Sequence, residues 1–225
     1  MKAPPRLAAL CAPLFALAGL ATCGGGSGTP NGRGGTSGGG TGGSSATGGI
    51  GGAAGAGGSP ATSTIQSHSA SLVANAAGTQ LYAVHPDADS VSILDLGTRQ
   101  VLHDVALAPS PPTPDSSGRY TPAIAPRALA LESTGHTLYV TGQRSGSVYA
   151  VDVSGGTVTR SAAVCSEPIG ILVSADNANL FVACAQDDEV VELAAADLSV
   201  AASVACPRKP WALAWGADGV TLYAT

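Results

Sequence analysis

Few side chains in this sequence are equipped for covalent or acid–base chemistry, and among them are five thiols, two of which, Cys11 and Cys23, lie in the first 23 residues. Cys165, Cys184 and Cys206 lie in the second half of the chain. Thiols there either enter a disulfide or pack as small apolar groups, depending on the compartment and the strand geometry. Carboxylates gather twice, in "DADS" (Asp87 to Ser90) and "AQDDE" (Ala185 to Glu189). Both runs carry Ca²⁺-type oxygen ligands, but neither has the ligand number of a recognised loop. His68 and His85, with Asp87 and Asp89 close by, would suit a transition metal if the fold brought the two rings together. The competing reading for each charged residue is a solvated turn. No G-x-S-x-G elbow, H-E-x-x-H pair, G-x-x-x-x-G-K loop or C-x-x-C-H haem attachment run occurs. "GGGSGTPNGRGG" has glycines at dinucleotide-like spacing, but no strand precedes it and no helix follows, so the match is spurious. These residues name no reaction, and they assign no catalytic residue, metal or cofactor.

Composition narrows the partners. Of 225 residues 31 are Gly, 11% are charged, and the net charge is −5. No basic stripe exists, which argues against nucleic acid. Most glycines fall between Cys23 and Gly58, where almost nothing apolar is available to offset the entropy of ordering. Residues 23–66 are therefore expected to be a flexible Gly/Ser-rich linker. About 160 residues rich in Val, Ala, Leu and Thr remain, enough for a core.

Residues 1–22 have the build of an export signal. Lys2 and Arg6 precede an apolar stretch from Leu7 to Leu20, too short and too interrupted (Pro13) for a membrane-spanning helix. "LATC" at Leu20 to Cys23 resembles the lipobox of bacterial lipoproteins, with Thr22 where a smaller residue is usual. That resemblance implies lipidation of Cys23 and a periplasmic or outer-membrane-anchored protein, with the lipid as its only membrane contact. Ordinary cleavage after Ala18 or Ala21 is the alternative.

The elements that must position any site come from a repeat. Leu81-Tyr82, Leu138-Tyr139, Leu180-Phe181 and Leu222-Tyr223 stand 57, 42 and 42 residues apart. Pro126, Pro168 and Pro210 precede the last three anchors by 12 residues. Gly78, Gly135, Asn177 and Gly219 precede all four by three, and these types tolerate the positive φ of a tight hairpin. Val91, Val148 and Val190 follow at ten, Val101, Val158 and Val200 at twenty. The longer first interval is explained by "APSPPTPDSSGRYTPAIA", whose prolines cannot pair inside a sheet. In the second unit the strands should be Ala128–Leu131, Thr137–Thr141, Ser147–Val151 and Val158–Ala163. Four antiparallel strands per unit of about 40 residues predict an all-β chain, a β-propeller of four-stranded blades. A β-sandwich also has short strands, but gives no reason for a four-strand period. The blades should span residues 67–125, 126–167, 168–209 and 210–225, the last incomplete within the propeller segment 67–225. About three and a half blades make an open ring, which is the expectation for a piece of a longer propeller, most simply of seven blades.

"TLYVTGQRSGSVYAVDVSGGTV", "PIGILVSADNANLFVACAQDDEVVEL" and "PWALAWGADGVTLYAT" resemble the YVTN-type repeat of exported bacterial β-propellers. The resemblance covers Ser67 to Thr225 and departs where Ala194 replaces the Asp found at Asp95 and Asp152. The aromatic anchors Tyr82, Tyr139, Phe181 and Tyr223 are expected to pack in or between blades.

In a propeller the loops joining units and those joining second to third strands share one face around the channel, where ligands usually bind. Here that face would carry His68, His85, Asp87, Asp89, Arg127, Gln143, Arg144, Glu167, Asp187, Asp188, Arg208, Lys209 and Trp211, with the three cysteines. His85, Arg127, Arg144, Arg208 and Trp211 are the candidate ligand contacts. Within the third unit Ile169 should lie opposite about Cys184, so Cys165 folds back within the 4.4–6.8 Å Cα separation of a disulfide. A Cys165–Cys184 bond is therefore expected. Cys206 matches Cys165 to within a residue, and the position matching Cys184 would be 226. The function favoured is an envelope-tethered binding or scaffold module for an unknown protein or small-molecule ligand, more plausibly not an enzyme. The alternative is the propeller domain of an exported enzyme or redox protein, lactonase-like or dehydrogenase- or cytochrome-associated, whose catalytic part lies outside this sequence.

Overall fold

A computed structural model describes residues 66–225. The export signal, Cys23 and nearly all of the Gly/Ser run lie outside the described residues.

Fourteen short strands follow one another among the described residues, and the turns between them repeat the same backbone. β1 (Leu72–Ala74), β2 (Gln80–His85), β3 (Ser90–Asp95) and β4 (Gln100–Ala106) pair in chain order as one antiparallel sheet. β5 (Pro126–Leu131), β6 (Thr137–Gly142), β7 (Ser147–Asp152) and β8 (Thr157–Ala163) form the second, and β9 (Pro168–Val173), β10 (Asn179–Cys184), β11 (Glu189–Ala194) and β12 (Val200–Ala205) the third. β13 (Leu213–Trp215) and β14 (Leu222–Ala224) make a two-stranded fourth sheet. The chain is thus an arc of β-propeller blades, and among the described residues the ring is not closed. Sequence spacing placed the four strands of the second blade to within two residues. β5 begins early, at Pro126, because a bulge between Pro126 and Leu129 lets a residue without an N–H open the strand.

The first turn of each unit has φ of 65° at Gly78, 77° at Gly135, 58° at Asn177 and 66° at Gly219, as their residue types required. The third turn repeats a positive φ at Arg99, Gly156 and Leu198 (59°, 61° and 64°), so the register holds even where the side chain is unsuited to it.

Period-two alternation divides each blade between two neighbours. Leu129, Leu131, Leu138 and Val140 of the second blade pack with Tyr82, Val91 and Ile93 of the first. The opposite face, with Ala128, Ala130, Tyr139 and Val148, packs on Ile171, Val173, Leu180 and Val182 of the third. Leu172, Phe181 and Ala183 then meet Leu213, Leu222 and Ala224 of the fourth. Leu138, Leu180 and Leu222 face the preceding blade, and the rings of Tyr82, Tyr139 and Phe181 face the following one. Tyr82, Tyr139 and Phe181 are therefore buried, and burial pushes the Tyr82 and Tyr139 hydroxyls above the usual phenol range. Tyr223 departs from the packing expectation. It is 43% exposed, because no described blade lies on the face toward which its position points.

Polar ties cross the same seams. The Thr141 hydroxyl, fully buried, accepts from Ala128 N and donates to Ile169 O, joining the second blade to the third. Asn177 exchanges two hydrogen bonds with Ser133 between the same blades. Trp215 stands edge-on to Phe181, centroids 5.3 Å apart, and donates to Val173 O.

Aspartates cap the outer and inner turns. Asp95 and Asp152 accept from Thr98 N and Gly155 N. The third blade has Ala194 at that position and replaces the cap from the other side of the turn, with Asp197 accepting from the Ser199 hydroxyl and N–H. Asp218 accepts from Thr221 and Val220. These bonds hold all four carboxyls below the usual range, chiefly through the N–H of Thr98 and of Gly155 and the hydroxyls of Ser199 and Thr221, and Asp218 falls to about 2. Because the folded values lie below the unfolded value of about 3.9, their stabilisation is complete above that pH and lost as pH falls toward 2. The thermal midpoint should therefore drop between about pH 4 and pH 2. A D152N/D197N variant followed over the same range should show a shallower drop, and an unchanged slope would remove these caps from the acid transition.

Candidate functional site

Chain alternation brings the second turn of each blade and the connections between blades to one end, the upper face. Backbone hydrogen bonds lock the two loop sets together: Leu107 N to Asp89 O, Gln143 N to Ala125 O, Val164 N to Gly146 O, Ala185 N to Glu167 O and Cys206 N to Asp188 O. Gly146 is needed here, since a Cβ would stand 2.8 Å from Cys165 O and its φ is +69°.

Side chains pin what the backbone leaves free. Asp89, read from sequence as a solvated turn charge, is 1% exposed and spans the 15-residue insertion. Its carboxylate accepts from Ala123, Ile124 and Ala125 N–H at 2.7, 3.0 and 2.8 Å. Each of those donors, left unmet in a buried setting, would cost about 1–3 kcal/mol. Asp187 accepts from Ser166 N at 2.7 Å. Both candidate Ca²⁺ runs thus direct carboxylates at their own backbone. Among the described residues no group of three or more His, Cys, Asp or Glu is placed to hold a metal ion.

The disulfide belongs to the same loop-fixing set. Cys165, in the connection before β9, is bonded to Cys184 at the end of β10, with Cα atoms 5.9 Å apart. The residue opposite Cys184 is Pro168, one before the expected Ile169, because a bulge falls between Val182 and Cys184. Cys206 is buried among Leu172, Phe181 and Leu213.

The ligand-contact candidates separate. Arg127 and Trp211, both exposed, line one cleft of about 420 Å³ at the upper mouth of the channel, with Ser71, Val84 and Ile169. Arg144 lines a second cleft of about 600 Å³ between the second and third blades, with Gln143, Glu167 and Gln186. Arg208 is exposed on the connection after β12 and lines neither. His85 bonds Ser92 Oγ through Nε2 at 2.8 Å on the first blade. His68 does not join it. It pairs with Ala214 and borders a third, lower cleft that His85 does not line.

No family model matches the chain, and no curated protein matches it. Among solved structures it is similar to hydrazine synthase of Kuenenia stuttgartiensis, at 25% identity over 65% of this chain and 38% of that one, with a TM-score of 0.57. It is also similar to the WD40 repeats of RRP9 (15%, 67% and 42%, TM-score 0.48) and to apo AztD from Citrobacter koseri (14%, 65% and 34%, TM-score 0.44). The chain covers less than half the length of each. The sheets and the first of these likenesses together define a β-propeller protein.

The bond between Cys165 and Cys184 closes a loop of about 20 residues, which stabilises by about 3 kcal/mol in the chain-entropy model. Non-reducing peptide mapping should recover the cross-linked peptide. A C165S/C184S variant should lose about that much in denaturant unfolding; an unchanged midpoint would mean the loop is held wholly by its backbone bonds.

Proposed function

We propose that the protein is an exported β-propeller, tethered to the cell envelope through a lipid on Cys23, whose upper face binds a partner. The observation that carries the binding reading is the upper channel mouth, where Arg127, at the start of β5, and Trp211, on the connection before β13, stand exposed in one cleft. Trp and Arg are the residue types that concentrate binding energy at interfaces, and a rigid frame lowers the entropy lost on association. A protein or small molecule presenting an anionic group beside a flat apolar surface fits this mouth, and Arg144 extends the cationic rim. Export is supported by the disulfide, a bond that persists in oxidising compartments. In this reading residues 1–22 are removed, 23–66 form the tether, and the propeller blades of YVTN type begin at 67. A tether of about 40 flexible residues spans roughly 35 Å r.m.s., comparable to a bilayer's hydrocarbon thickness.

A second reading has this propeller as one domain of an exported enzyme or redox protein. It is favoured by the 25% identity to part of a hydrazine synthase. Protein isolated from native envelopes separates the two: a haem or copper spectrum supports the second, a colourless protein with a bound partner the first.

Fractionation of cells should find the native protein with membranes and a Cys23→Ala variant in the soluble fraction; equal distribution overturns the anchor. Cross-linking in intact envelopes should capture a partner that an R127E/W211A variant of unchanged thermal midpoint no longer captures. Capture by both moves the binding site off this mouth.

A further inference from the structure

The inner edge of a propeller blade ends in a strand whose channel-facing N–H and C=O groups have no partner within the blade. Here those groups are taken by the segment that precedes β1. Gln66 to Ser71 enters at the lower end, beside Leu131 and Trp215, and climbs to Ser71, whose carbonyl accepts from Val84 N. It runs antiparallel to both β5 and β13, with bridges Ala70–Leu129 and His68–Ala214. On the β5 side Leu129 N donates to Ala70 O at 2.7 Å, and the Gln66 amide bonds Leu129 O and Leu131 N. On the β13 side Ser69 N donates to Leu213 O, Trp215 N to Ser67 O, and Leu213 N to Ser69 Oγ, at 2.8, 2.7 and 3.0 Å. Two strands that flank a third stand about 9–10 Å apart, so the segment fills the space between them.

The third wall is shaped for it. β9 carries Gly170 in its interior, where a strand normally packs a side chain. A Cβ there would come within 3.1 Å of Ser69 Oγ and of Trp211 O. The segment itself, "QSHSAS", offers no large apolar group to the core, and Ser67 and His68 are exposed. It is therefore bound almost entirely through backbone and small polar groups, the manner in which an added strand is recognised at a sheet edge.

We infer that β5, β9 and β13 form a strand-accepting groove for an extended peptide, and that Gln66–Ser71 is its occupant in cis. The peptide class is set by the walls: an extended run with a small residue, Ser or Ala, at the position facing Gly170, and no proline where Ser69 N donates. The resident segment competes at the millimolar effective concentration of a short connection, so a peptide in trans gains the groove when that segment is released. This site binds through the backbone edges of β5 and β13 and not through the exposed Arg127 and Trp211 side chains, although Ser69, Ala70 and Ser71 also line that mouth, so its failure leaves the upper-face reading standing.

The test uses the full chain and the capped peptide TIQSHSAS, with the two tryptophans, Trp211 and Trp215, as reporters beside the groove. Ser69→Pro removes the donor to Leu213 O and should release the segment. The S69P protein should then bind the peptide saturably, about 100-fold tighter than the native chain does, and S69P/G170V should not bind it. No saturable response from folded S69P, or equal affinity in S69P and native protein, overturns the proposal. Hydrogen exchange on the native chain decides the matter if S69P does not fold. The Leu129 and Trp215 amides should exchange faster than the blade amides of Val140 and Val182; exchange only with global unfolding would make the segment an integral strand and sink the idea.

Discussion

A four-stranded blade of this size has two apolar faces and no way to bury either alone. Everything else in the molecule follows from that constraint. Because strand residues alternate, one sequence must serve two neighbours at once, and the Leu-aromatic anchor is where this is plainest: Leu138 goes to the first blade and Tyr139 to the third. The third blade meets this demand most fully, with Leu172 and Phe181 against the fourth sheet and Ile171 and Leu180 against the second. It is also the blade that carries the disulfide. The hydrogen bonds of Thr141 and of Asn177 with Ser133 lie across that same seam between second and third blades, so packing and polar ties fix one relative position.

Stacking sheets face to face leaves their loops at the two ends, and those loops carry most of the charge. Most carboxylates there are committed to backbone donors. Asp89 holds the insertion, Asp187 the connection before β9, and Asp197 the last turn of the third blade. Asp89, satisfied by three N–H groups, has little capacity left for a cation, and Asp187 accepts one from Ser166, so these members of runs that look like ligand sets in sequence act as braces in the fold. The exposed cations have no such duty among the hydrogen bonds of the upper face. Arg127 and Arg144 are left to face solvent on a frame that other residues keep still.

Much of this was legible in the sequence, for a physical reason. A repeat constrains backbone and face together, so the four glycine or asparagine turns and the strand limits of the second unit could be read by superposing one unit on the next, and the Cys165–Cys184 pairing followed from the hairpin register within the third. What the repeat does not encode was missed. Asp89 was taken for a solvated charge because its partners sit in the one non-repeated insertion. Whether His68 would meet His85 was left open, because the channel segment precedes the first repeat and has no counterpart in later units. Tyr223 was expected to be packed because its repeat position is, although packing depends on the neighbour and not on the position. At Ala194 the sequence showed only a departure from the repeat, since the compensating Asp197 sits three residues away on the opposite side of the hairpin. One signal for the channel segment was present: Gly170, a glycine in the middle of an otherwise apolar strand, which implies a close approach by something outside the blade.

That glycine ties the two ends of the molecule together. Ser69 reaches Gly170 near the top of the channel, where Trp211 O is also within 3.1 Å of the same position. The segment's upper end therefore forms the floor of the cleft that Arg127 and Trp211 border, and Ser69, Ala70 and Ser71 all line it. The shape of the upper mouth depends on a strand that enters from the opposite end. A ligand seated against Arg127 and Trp211 would rest on Ser69 and Ser71, and with the segment gone it would meet the bare edges of β5 and β13. The two sites are distinct in chemistry, one of exposed side chains and one of backbone edges, yet they share a wall.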